Sequence, residues 1–366
     1  MPELEWADSF QIQTQAIVGN IPSYNQSHLD LLNEWNAIGS GNAQIAVVGN
    51  ATARGASALF IPFGGAIQRT MSHQATYTIG MRIKINSTAG VGGINSLYDL
   101  WNNLTFLFSI RVRADGSILL YGANNQSKVI FDSVTPVLTA GQEGYLEITT
   151  TVSGTTNLNV AATVWFDDVL LGTGNVNLGF GTSSITSLDA TFNGITLNSG
   201  VTTPGGCTYS DFYIVKGTDR LGSSAFPYGV EIDAIFTISD SAPTDWIPTG
   251  GGSHWDQVND NPPNNNLTYV ETSTSGKCDS YHWETISSFD GTIPSVFLKL
   301  LCHSTAEGLC QVKGNVGAGG TQQKTAPFAL CDINLYHYES FDVDPLTGLA
   351  WLPAAYNTRP FGIELV

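Results

Sequence analysis

The chain has 366 residues, and only 12% of them are Asp, Glu, Lys or Arg, against about 25% in an ordinary soluble protein. Its formal net charge is −17, with 14 acids and 8 bases in residues 1–217 and 17 acids and 6 bases in residues 218–366. Both parts repel a phosphate backbone, which excludes nucleic acid and anionic membrane surfaces as partners. No apolar stretch approaches the roughly 20 residues that span a bilayer, and MPELEWADSF lacks the basic and apolar regions of a secretion signal.

These features lead us to expect synthesis in a cytoplasm without export. The surface is kept soluble by Gly, Ser, Thr and Asn rather than by ions, which suits a virion or extracellular protein.

Taken in order, residues 1–75 hold short apolar runs, Ile45 to Val48 and Ala58 to Phe63, between GSGN, GNATARG and FGG. Ser27 is placed to cap one helical turn in SHLDLLNEW. From Tyr77 the period becomes two: Tyr77, Ile79, Met81, Ile83 and Ile85 alternate with Thr78, Gly80, Arg82 and Lys84, which predicts a strand with one polar face. Phe106, Phe108, Ile110 and Val112 repeat the pattern, and Asp115-Gly116 turns the chain into Ile118 to Tyr121 as a hairpin.

Further strands are expected at Val129 to Phe131, Tyr145 to Val152, Val160 to Phe166, Val169 to Leu171, Leu188 to Leu197 and Tyr209 to Val215. About nine strands bounded by turns, with no long helix, predict a sandwich or jelly roll.

Between Tyr209 and Asp260 the chain runs through GTDRLGSS, a strand GVEIDAIFTI, Pro243, Pro248 and a Gly-rich loop before Trp255. We read this as a seam between two β domains, with 1–217 as the first, 218–250 as linking strand and linker, and 251–366 as the second. Strands expected beyond it are Thr268 to Glu271, Cys278 to Trp283, Val296 to Cys302, Cys310 to Val316, Phe328 to Tyr338 and a short one at the end.

Candidate chemistry is sparse. Glu231-Ile232-Asp233 resembles the strand of jelly-roll glycosidases, but Ile235 and Phe236 stand where a third acid would fall, so no hydrolysis is expected. Asp167-Asp168 reads as a turn, with a Ca²⁺ loop as the alternative. The five cysteines, Cys207, Cys278, Cys302, Cys310 and Cys331, lack zinc spacing. Cys302, Cys310 and Cys331 share parity with apolar neighbours and are expected to be buried thiols, a Cys302–Cys310 disulfide remaining open.

His28, His73, His254, His282, His303 and His337 sit in no triad-like context. Trp246, Trp255 and Trp283 lie near the seam, where they either pack an interface or stack on sugar rings. No catalytic, cofactor or metal residue is assigned.

GYLEITTTVSGTTNLNVAATVWFDDVLLG, from Gly144, resembles the paired strands of concanavalin A-like, or laminin G-like, jelly rolls. YSDFYIV, GTDRLGSS, GVEIDAIF, TDWIP, GGGSHWDQVND and the ending DPLTGLAWLPAAYNTRPFGIEL together resemble tailed-phage virion proteins that place such a jelly roll before a smaller β domain. The resemblance covers about residues 75–366 and implies an all-β fold and a structural virion component. Its implied partners are other virion proteins, in the capsid, neck or tail, and its own copies as a homo-oligomer, a trimer first. The alternative is a glycan-binding adhesin that uses an exposed aromatic beside loops such as NDNPPNNN to hold a host-surface glycan. A jelly-roll glycosidase is the third reading.

Overall fold

The structure is a computed structural model. It describes residues 3–8, 37–40, 46–48, 58–61, 65–85, 95–102, 105–113, 115–122, 128–154, 158–178, 191–198, 206–221, 235–260, 267–286, 293–305, 310–318 and 321–366. The chain is all-β and divides into two compact units, Met1–Asp233 and Ala234–Val366.

In the first unit the strands are β1 (Glu3–Asp8), β2 (Ala37–Ser40), β3 (Ala46–Val48), β4 (Ala58–Ile61), β5 (Gly65–Gln74), β6 (Thr76–Ile85), β7 (Asn95–Asn102) and β8 (Thr105–Val112). They continue as β9 (Ile118–Gly122), β10 (Val129–Asp132), β11 (Glu143–Ser153), β12 (Asn159–Phe166), β13 (Val169–Asn177), β14 (Phe192–Asn198) and β15 (Cys207–Lys216). They form two antiparallel sheets of a jelly-roll sandwich. One has eight strands in the order β13-β12-β11-β6-β15-β4-β3, with β1 also on β15; the other has the order β10-β9-β8-β7-β14-β5-β2.

The alternation read in the sequence sets the interior. Ile79, Met81, Ile83 and Ile85 of β6, Leu146, Ile148 and Val152 of β11, and Val160, Ala162 and Val164 of β12 are all buried. Across from them lie Phe108, Ile110 and Val112 of β8, Ile118 and Leu120 of β9, and Ile195 and Leu197 of β14. At about 25 cal/mol per Å² of apolar surface removed from water, this layer is the main source of the unit's stability. Asp115 shapes the β8–β9 turn by accepting a hydrogen bond from the Ser117 backbone at 2.9 Å.

The second unit contains β16 (Thr237–Thr244), β17 (Ile247–Pro248), β18 (Val270–Glu271), β19 (Cys278–Trp283), β20 (Val296–Cys302), β21 (Gln311–Val316), β22 (Gln323–Lys324), β23 (Phe328–Ala329), β24 (Leu335–Phe341) and β25 (Phe361–Leu365). One α-helical turn, α1 (Pro353–Tyr356), precedes β25. The order β16-β19-β25-β21-β22, with β23 on β21, makes a six-stranded sheet. The β20–β24 ribbon lies over it through Leu298 and Phe341, packed with Val316, Trp351, Tyr356 and Phe361. Trp351 is fully buried and donates its indole N–H to the Phe341 carbonyl at 2.7 Å. Asp344 in DPLTG is structural too, accepting from the Leu346 backbone at 3.1 Å and from Arg359 at 2.9 Å.

Several expectations need correction. Phe328 to Tyr338 is two strands, β23 and β24, so Cys331 falls in the connection, where its thiol donates to the Ile333 carbonyl at 3.3 Å. Cys302, Cys310 and Cys331 are half-buried rather than core residues; the buried thiols are Cys207 and Cys278, and all five are free. β16, which reads as linker because of Pro243, is a strand of the second unit. It sits at the sheet's edge, where a residue without an N–H is tolerated. The helical turn after Ser27 lies outside the described residues.

Candidate functional site

The polar surface of the eight-stranded sheet follows from the same alternation. Residues that alternate with the buried set point away from the core: Thr78, Gly80 and Arg82 on β6, Glu143, Tyr145, Glu147, Thr149 and Thr151 on β11, and Ala161, Thr163 and Trp165 on β12. Registry aligns them, with Glu147 opposite Gly80 on one side and Trp165 on the other. Thr149 faces Thr78, and their hydroxyls are 2.8 Å apart.

Glu147 is the centre of this face and is only 1% exposed. The Tyr213 hydroxyl donates to its Oε1, and Arg220 donates to its Oε2 from Nε at 3.1 Å. Arg220 also pairs with Asp168 at 2.8 Å and lies over the Trp165 indole, 4.3 Å from the ring centroid. Such a cation–π contact contributes roughly 0.5–2 kcal/mol, and two carboxylates fix the guanidinium in place. Burial opposes the charge of Arg220, but the hydrogen bonds and charges of Glu147 and Asp168 outweigh it and raise its pKa.

A second ion cluster lies beside the first. Arg82 donates to Asp211 at 2.8 Å, stands 3.3 Å from Glu143, and has its guanidinium carbon 5.5 Å from the Tyr145 ring centroid. Asp211 is brought there by a β-bulge: Ser210 faces Arg82 and Tyr213 faces Gly80, so two residues oppose one, and Asp211 takes a φ of 47°. Bulges re-aim side chains in this way. The Tyr145 hydroxyl donates to the Asp211 carbonyl at 3.1 Å. Burial, and then the neighbouring negative charge, lifts the phenols of Tyr145 and Tyr213 well above the ordinary range. Both therefore remain protonated donors near neutral pH and are poor general bases.

Along β12 and β13 the face opens to solvent. Thr163 pairs with Thr173, Ala161 with Asn175 and Asn159 with Asn177. Asn159, Thr173 and Asn175 are exposed, and Leu170, opposite Trp165, is 55% exposed. From Trp165 to Asn159 this row of hydroxyls and amides runs about 20 Å at the usual strand rise.

The structure places the residues weighed from sequence as follows. Asp167 and Asp168 both have positive φ, 47° and 64°, as a two-residue hairpin turn demands. Asp167 accepts from the Tyr145 backbone at 2.7 Å and Asp168 faces Arg220, so the pair stabilises the turn and is not arranged around a cation. Among the described residues no group of His, Cys, Asp or Glu is arranged to hold a metal. Glu231 and Asp233 lie outside the described residues.

His254 places Nδ1 2.8 Å from Asp279, which is fully buried and also accepts from Tyr281 at 2.8 Å and from the Trp246 backbone at 3.1 Å. That knot ties the Gly-rich loop to β19. Trp246 donates its indole N–H to the Lys277 carbonyl at 3.0 Å, and Trp283 meets Phe361 edge-on at 6.3 Å, so both are packing residues rather than sugar platforms. His337 stacks on Phe328 at 4.2 Å and His73 bonds Thr191 at 3.0 Å. His28 and residues 261–266 of NDNPPNNN lie outside the described residues. What the sequence reading missed is Arg220 as the partner of Glu147.

No protein-family model and no curated protein matches the chain. Solved structures do. An endo-β-1,4-glucuronan lyase from the fungus Trichoderma reesei is 11% identical with a TM-score of 0.37, over 51% of this chain and 92% of its own. A marine alginate lyase from Aplysia kurodai is 12% identical with a TM-score of 0.39, over 58% and 99%. Domain 4 of an extracellular arabinanase from Geobacillus stearothermophilus, solved with arabinotriose, is 13% identical with a TM-score of 0.34, over 59% and 93%. These are lyases and a glycosidase domain, not virion components, and the expectation of a structural virion protein is withdrawn in their favour.

Proposed function

We propose that the chain binds a glycan on the outward face of the eight-stranded sheet, along β12 and β13. The observation that carries this reading is Arg220 seated over the Trp165 indole and pinned by Glu147 and Asp168, at the head of an exposed row of Thr and Asn. Sugar rings need an apolar surface for their C–H faces and fixed donors and acceptors for their hydroxyls. Leu170, exposed beside the Arg220–Trp165 stack, supplies the first, and Asp168, Thr173, Asn175 and Asn159 the second.

The test is affinity electrophoresis of the full chain in gels containing a panel of soluble polysaccharides. At least one polymer is expected to retard the protein, and Trp165→Ala, checked for native circular dichroism, is expected to abolish most of that retardation. No retardation by any polymer, or undiminished retardation of a folded Trp165→Ala protein, would overturn the proposal.

A further inference from the structure

The charges around the row decide which class of glycan it takes. We infer that the ligand is a neutral polysaccharide, with hydroxyls but no carboxylates; the inference rests on the glycan-binding reading above. Among the described residues, two cations lie near the row. Arg220 is committed to two carboxylates, and Lys128, at the far end, donates to the Asn177 carbonyl at 3.2 Å. Against them stand Glu147, Asp167 and Asp168, so these described groups leave one negative charge in excess. The outward residues of the row itself, Asn159, Ala161, Thr163, Trp165, Thr173, Asn175 and Asn177, carry no charge.

A uronate entering this row would lose hydration and, among the described residues, find Arg220 already committed to two carboxylates. Its approach would also be opposed by a chain of net charge −17. A neutral ring meets neither cost. Its hydroxyls donate to Asp168, whose side chain is 23% exposed, and exchange hydrogen bonds with the Asn and Thr side chains.

The same gels and isothermal titration, run at about 0.15 M salt so that long-range repulsion is screened beyond about 8 Å, test the inference. Neutral galactans, arabinans, mannans and β-glucans are set against alginate and polygalacturonate. We expect retardation by at least one neutral polymer, with uronate polymers at least tenfold weaker. Asp168→Asn, which keeps a residue suited to the left-handed turn and releases one bond on Arg220, is expected to narrow that gap by raising uronate binding. Equal or tighter binding of uronates by the native chain overturns the inference and leaves the glycan reading standing. Failure of every polymer overturns the reading and the inference together.

Discussion

Gly80 is the floor beneath the Tyr213 ring: a β-carbon at position 80 would lie 2.2 Å from Cε1 and 2.5 Å from Cζ. Tyr213 is fully buried and cannot swing into solvent. Gly80→Ala is therefore expected to push the ring off Glu147 and lower stability by about 1–3 kcal/mol, the usual range for overpacking. Urea unfolding followed by tryptophan fluorescence measures this, and a variant as stable as the parent would show that Tyr213 does not rest there.

Asp344 gives the second unit a pH signature. Burial alone would raise its pKa, but hydrogen bonds from Arg359, the Leu346 backbone and Thr347 prevail and hold it below 3.8. A depressed carboxyl contributes stability above its unfolded pKa and loses it as pH falls through the lower folded value. Asp344→Asn should cost about 1.5–3 kcal/mol near neutral pH, the worth of hydrogen bonds to a charged group. The difference between variant and parent should shrink at about pH 3 relative to about pH 6. An unchanged difference across that range, measured by denaturant titration, would count against the assignment.

The thiols should divide by reactivity. Burial pushes Cys207 and Cys302 up to about 12, and burial with the Glu364 carboxylate beside it does the same for Cys278. At about pH 8 these three hold almost no thiolate, the reactive form. An excess of an aromatic disulfide reagent should therefore spare Cys207 and Cys278, the two buried thiols, until the protein unfolds. Mass spectrometry of the native protein would detect early loss of Cys207, which would contradict its burial.

How far the fold was legible depended on whether a segment's pattern came from local sequence or from distant pairing. β6 alternates cleanly from Tyr77 to Ile85, and the bounds of β19 and β20 follow from their residues, because one face of each meets a core. β16, TISDSAPT, is polar and contains a proline, so nothing local marks it as a strand; its partner β19 makes it one. The site divides in the same way. Period two in GYLEITTTV already turns Glu147 away from Leu146 and Ile148, and the parity of Trp165 with Thr163 puts both on that side. Arg220 sits in GTDRLGSS, which reads only as a turn, and reaches a carboxylate 73 residues earlier in the chain.

The glycines of β13 protect the sandwich from its own edges. β13 and β10 are the end strands of their sheets, and an end strand offers unpaired N–H and C=O groups to any neighbouring chain. Gly174 has so little beneath it that a β-carbon there would stand 1.6 Å from the Ile130 carbonyl oxygen of β10, and at Gly172 it would meet the Phe131 ring at 3.0 Å. At Gly174 the two end strands come almost backbone to backbone, while the Phe131 ring fills the space at Gly172, and each strand shields the other from recruitment into a growing fibril. Gly174→Val would wedge them apart, and the expected result is concentration-dependent aggregation with thioflavin binding, where the parent protein remains dispersed.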